Sequence, residues 1–160
     1  MILRSPFVRR IAIALAIGGA AAPSIALAAQ AAPGQSVVVD VAPGLTVVDG
    51  AIAVKVERRV PVGISDAFKP SVGAVYAWVK VKNLGEDTSL TMVWKKDGRT
   101  TIRHSLGVGH SWGWKTWTKK GISDKDTGSW TVEILDVHEN VLATLGFTID
   151  PGAADVSLVQ

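Results

Sequence analysis

The sequence predicts an all-β domain, an immunoglobulin-like antiparallel sandwich of about seven strands. Three observations point there. From Ala51 onward apolar residues recur with period two, the pattern of a half-buried strand. Glycine, proline, asparagine and aspartate punctuate that pattern at short intervals. No segment beyond the N-terminal leader carries a helical period. The cysteine pair of antibody domains is absent, so the strand pattern alone supports the reading. A small β-barrel is the alternative arrangement.

The first 28 residues read as a signal peptide. Arg4, Arg9 and Arg10 form a basic start, Ile11 to Ala22 is an apolar run, and Ala26-Leu27-Ala28 is a small-residue cleavage pattern. Pro23 interrupts a stretch already short for a membrane span, which takes roughly 20 apolar residues. An exported protein, periplasmic or secreted, is therefore expected. The chain of 160 residues carries a net charge of +3. Removing the leader with its three arginines leaves 14 basic against 14 acidic groups. The positive charge thus belongs to targeting, and nucleic-acid binding is not expected.

Residues 29–50, rich in Ala, Pro, Gly and Val, read as a linker, with a short strand compatible with Ser36–Val41. The sandwich is expected over residues 51–150, with 151–160 as a tail. In strand one, Ile52, Val54, Val56 and Val60 alternate with Lys55, Glu57 and Arg59. Pro61, Gly63 and Pro70 fill the next connection. In strand two, Val75, Ala77, Val79 and Val81 alternate with Tyr76, Trp78, Lys80 and Lys82. In strand three, Leu90, Met92 and Trp94 point inward. Asp97-Gly98 is a hairpin turn, since glycine accepts a positive φ. Strand four runs from Thr100 to Leu106 with Ile102 and Leu106 inward.

Strand five holds Trp112, Trp114 and Trp117 among lysines and threonines. Alternation sends Trp112 and Trp114 to the core face and Trp117 to the other. Trp130, Val132 and Ile134 line strand six. Strand seven has Val141, Ala143, Leu145, Phe147 and Ile149 inward.

Certain residues carry a resemblance. Trp94-x-x-Asp97-Gly98, Trp114 to Lys120, Gly128-Ser129-Trp130-Thr131-Val132, and Val141-Leu142 with Phe147 together resemble a bacterial family known as domain of unknown function 2914, over roughly residues 54–149. That family shows H-x-W, then W-R-t-x-S-x-K, then G-x-W-x-V. Here Met92 stands for the His, Lys115 for the Arg and Thr118 for the Ser. The resemblance implies an exported or envelope β-sandwich and no established activity. The substitutions favour binding or architecture over chemistry.

Motifs for catalysis or metal binding do not assemble. Gly109-His110-Ser111-Trp112-Gly113 matches G-x-S-x-G, but the nucleophile elbow needs a strand-to-helix turn, whereas Trp, Thr and Lys follow here. His104, His110 and His138 have no metal-ligand spacing, and His104 shares a face with Ile102 and Leu106. Asp124-Lys125-Asp126-Thr127-Gly128 lacks the glycine and glutamate positions of a calcium loop and reads as a turn stabilised by aspartates. No enzyme, metal or cofactor is expected.

The remaining constellation is aromatic and basic: Tyr76, Trp78 and Lys80 on strand two with Lys115, Trp117 and Lys119 on strand five. If these strands are neighbours, rings and ammonium groups share one face. Rings stack on sugar C–H surface, and lysines attract carboxylates or phosphates. The expected function is a non-enzymatic binding module for envelope glycan or another anionic, sugar-like ligand. The alternative is a structural or protein-interaction domain of the cell envelope that uses the same face.

Overall fold

The computed structural model describes residues 44–156. The leader, the Ser36–Val41 segment and the last four residues lie outside the described residues. Nine strands are present among those described: β1 (Leu45–Glu57), β2 (Val60–Ile64), β3 (Ala67–Phe68), β4 (Ala74–Asn83), β5 (Thr88–Lys96), β6 (Arg99–Val108), β7 (Ser111–Gly121), β8 (Gly128–Leu135) and β9 (Val141–Ile149). They form a four-stranded sheet, β2-β1-β4-β7, and a five-stranded sheet, β3-β9-β8-β5-β6. Neither sheet closes on itself, so the molecule is a sandwich and not a barrel. The constant-type immunoglobulin arrangement keeps the fourth principal strand with the first, second and fifth. Here that strand, β6, pairs with the third, β5.

The inner faces follow the sequence pattern closely. Val75, Ala77, Val79 and Val81 of β4 are fully buried, as are Leu90, Met92 and Trp94 of β5. They meet Trp130, Val132 and Ile134 of β8 and Ala143, Leu145, Phe147 and Ile149 of β9. Phe147 is the aromatic hub. Its ring lies 6.0 Å from Phe68, 6.1 Å from Trp94 and 6.1 Å from Trp130. Phe68 comes from β3, a two-residue strand parallel to β9 that has no period to read in the sequence. Asp97-Gly98 forms the expected tight turn, with φ of 48° and 79°.

Three departures have local causes. First, β1 begins at Leu45, six residues before the expected domain start. Leu45 and Val47 are buried and pair with β4, but the extra residue Val48 bulges from the strand and breaks the alternation. Second, the first strand does not run through Val60. Arg58 and Arg59, with φ of 48° and 65°, turn the chain back into β2, which pairs with Ala53–Glu57. Third, Val141 is 40% exposed and Leu142 is 1% exposed, reversing the expected order at the start of β9. The register shifts there, with Leu135 opposite Val141 and Ile134 opposite Ala143, so Leu142 is the unpaired residue.

Candidate anion-binding face

The six aromatic and basic residues come together on the outer face of the four-stranded sheet. Strand β4 turns every other residue away from the core, and β7 lies beside it. Their register sets Tyr76 opposite Lys119, Trp78 opposite Trp117, and Lys80 opposite Lys115. On the other side of β4, β1 sets Asp49 opposite Lys80 and Ala51 opposite Trp78.

Trp78 is not an open platform. It is only 4% exposed. Its indole Nε1 donates to the carbonyl of Arg59 at 3.1 Å, and the Arg59 guanidinium donates to the carbonyl of Lys115 at 3.2 Å. These two bonds hold the β1–β2 turn against the face, so Trp78 is its floor. Tyr76, Trp117, Lys80 and Lys115 are partly exposed, and Lys119 is exposed.

Trp112 also departs from expectation. It is 72% exposed rather than buried beside Trp114. The pairing passes from Val81 opposite Trp114 to Asn83 opposite Ser111, so Trp112 and Gly113 together oppose Lys82. That bulge turns Trp112 to the side of Lys82, whose Nζ lies 5.6 Å from the indole centroid. Trp114 remains packed against the core. Gly113 leaves room for a lysine stem, because a Cβ there would sit 2.8 Å from Lys80 Cε.

Charge on this face is one-sided. Lys55, Lys80, Lys82, Lys115 and Lys119, with Arg58 and Arg59 of the turn, face two acids, Asp49 and Glu57. Of these seven cations only Lys55 has an ion pair, with Glu57 at 2.7 Å. Elsewhere among the described residues four of seven cations are paired: Lys69, Lys95, Arg103 and Lys120. Like charges directly opposite on neighbouring strands destabilise a sheet. Lys80 stands between a like charge, Lys115 on β7, and an opposite one, Asp49 on β1.

The residues of the family motifs do something else. Trp94 Nε1 donates to Thr118 Oγ1 at 3.0 Å, and Thr118 Oγ1 donates to Met92 Sδ at 3.3 Å. This buried chain ties β5 of one sheet to β7 of the other. Next along β7, Lys120 pairs with Asp126 at 2.9 Å and lies 4.6 Å over the Trp130 ring. Trp130 Nε1 donates to the carbonyl of Asp126 at 2.7 Å. Burial raises the Asp126 carboxyl, but hydrogen bonds from Lys120 and from the Ser123 hydroxyl and amide outweigh it and hold it below its ordinary value. The motifs thus mark an inter-sheet clamp. Spacing along the strands gave no sign that it was one unit.

The Asp124–Asp126 segment is one 3-10 turn, with Ser123 and Asp126 bonded reciprocally across it. Ser111 opens β7 as a strand residue, and its Oγ accepts from the Gly113 amide at 3.0 Å. Among the described residues no group of three or more His, Asp or Glu could hold a metal ion. No helix among them is long and apolar enough to cross a membrane.

The family model described as protein of unknown function (DUF2914) matches residues 87–149. That is the family the motifs resemble. The match spans β5 to β9 and contains the whole clamp. It leaves out β1, β2 and β4, and with them Tyr76, Trp78 and Lys80, so half of the aromatic and basic face lies outside the DUF2914 span. No curated protein matches the chain. Among solved structures, the Se-Met labelled β-glucosidase from Kluyveromyces marxianus is similar at 12% identity with a TM-score of 0.36. The similarity covers 73% of this chain and 14% of that one.

Proposed function

We propose that the protein is an exported, non-enzymatic binding module for an anionic, sugar-like ligand such as envelope glycan. The ligand lies on the outer face of the four-stranded sheet. The observation that carries this reading is the segregation of six cations without ion pairs around the partly exposed rings of Trp117 and Tyr76. Trp117 and Tyr76 stack on sugar faces. Lys80, Lys115 and Lys119 pair with ligand carboxylates or phosphates. Trp78 stands opposite Trp117 on the neighbouring strand and anchors the Arg58–Arg59 turn, which adds two guanidinium groups fit for planar oxyanions.

Retention of the purified protein on immobilised anionic cell-envelope polysaccharide tests this. Trp117→Ala and the double variant Lys80→Ser, Lys115→Ser should stay folded by circular dichroism and elute early. Unchanged retention of both would reject the reading.

A second reading is docking of an envelope protein, or of a second copy of this chain, on the same face. The position of β7 at a sheet edge favours it, because an edge strand offers backbone groups for strand addition. A stable dimer that hides Trp117 from a fluorescence quencher would decide for that reading.

A further inference from the structure

We propose that Trp112 is a second stacking position, and that the ligand is an extended anionic glycan chain laid along β7 rather than a single sugar. This inference rests on the reading of the face as an anionic-glycan site, and extends it to the length of the ligand.

Trp112 is the most exposed large hydrophobic side chain among the described residues, at 72%. The strand spends a bulge to put it there. With Val81 opposite Trp114 and Asn83 opposite Ser111, the extra residue carries the indole out of the core side and onto the face of Lys82, Lys80 and Trp117. Lys82 stands 5.6 Å from the ring centroid yet leaves most of the ring open.

The order along the face is then ring, cations, ring. Trp112 with Lys82 comes first, Lys80 with Lys115 next, and Trp117 last. Because Trp112 and Gly113 share one partner, the two tryptophans stand as far apart as Lys82 and Trp78 on the neighbouring strand, four steps or about 13 Å. One sugar ring is too short to touch both. A chain whose acidic groups fall between the indoles would meet Lys80 and Lys115 on the way. Gly113 keeps that path low, since the Lys80 stem crosses where its side chain would be.

The test is calorimetric titration of the full-length protein with oligogalacturonates from dimer to octamer, using neutral cello-oligosaccharides of the same lengths as controls. The expected result is affinity that rises with length for the acidic series alone. Trp112→Ala should lower octamer affinity about tenfold, the scale of one lost stacking contact, and leave dimer affinity unchanged. Trp112→Phe should restore part of the loss, and Trp117→Ala should weaken both lengths. Equal affinity for dimer and octamer, or an octamer indifferent to Trp112→Ala, would overturn the extended-chain inference and leave the anionic-glycan reading standing. A folded protein that binds no acidic oligomer, or binds the neutral series as well, would overturn both.

Discussion

Thr118 is one of two buried polar residues among those described, and its hydroxyl is used twice. It accepts from the Trp94 indole and donates to the Met92 sulfur, so it joins the sheets where a methyl would leave the indole N–H without a partner. Thr118→Val should cost about 1–3 kcal/mol, the usual penalty for an unsatisfied buried donor, and Thr118→Ser should recover most of it. Urea unfolding of the three proteins checks this. Asp126 makes a second prediction at the same scale. Asp126→Asn removes the charge that Lys120 pairs with and should destabilise by about 1–3 kcal/mol at neutral pH. The folded state holds the Asp126 carboxyl below its ordinary value of 3.8, so its contribution is complete above that pH. It is lost as pH falls through the lower folded value, because the unfolded chain takes up the proton first. The gap between wild type and Asp126→Asn should therefore close as unfolding is measured at progressively lower pH below 3.8.

At the scale of elements, the β1–β2 hairpin decides what the candidate face can do. Its two-residue turn places Arg58 and Arg59 at positive φ, where Asn-Gly is the favoured pair. A left-handed residue other than glycine costs about 1–2 kcal/mol. Arg59→Gly should therefore stabilise the fold by about 1 kcal/mol, less the lost bond to Lys115. It should also weaken retention on anionic polysaccharide, because one guanidinium is gone. Parallel melting and retention measurements separate these opposite effects. The same hairpin shows where the sequence stops being readable. The inward residues of β4, β5 and β8 were legible, because unbroken alternation against a buried sheet admits one register. The Arg-Arg turn was not, since neither residue is a turn former. Trp112, Val48 and Leu142 were not, since a bulge adds one residue and inverts parity without any local signature. The cover over Trp78 was not, because it depends on a turn 19 residues away reaching across the sheet. Pairing of Lys80 with Lys115 and of Trp78 with Trp117 was legible only on the condition that β4 and β7 are neighbours, and the register meets it.

For the whole molecule, charge balance conceals charge separation. From residue 29 onward the chain is neutral by count, 14 basic against 14 acidic groups. The fold nonetheless gathers six cations without ion pairs on one face. Binding through that face should weaken steeply with salt, since exposed charges are screened within about 10 Å at 0.1 M ionic strength. A retention profile from low to high salt reads this directly. The central claim, that this face and no other receives the ligand, is tested most directly by the six tryptophan indole signals in a nitrogen–proton correlation spectrum. On titration with an acidic oligosaccharide, the Trp112 and Trp117 signals should move. Those of Trp94 and Trp130, bonded to Thr118 and to the Asp126 carbonyl inside the sandwich, should stay in place. Movement confined to other residues, or no movement at saturating ligand, would contradict it.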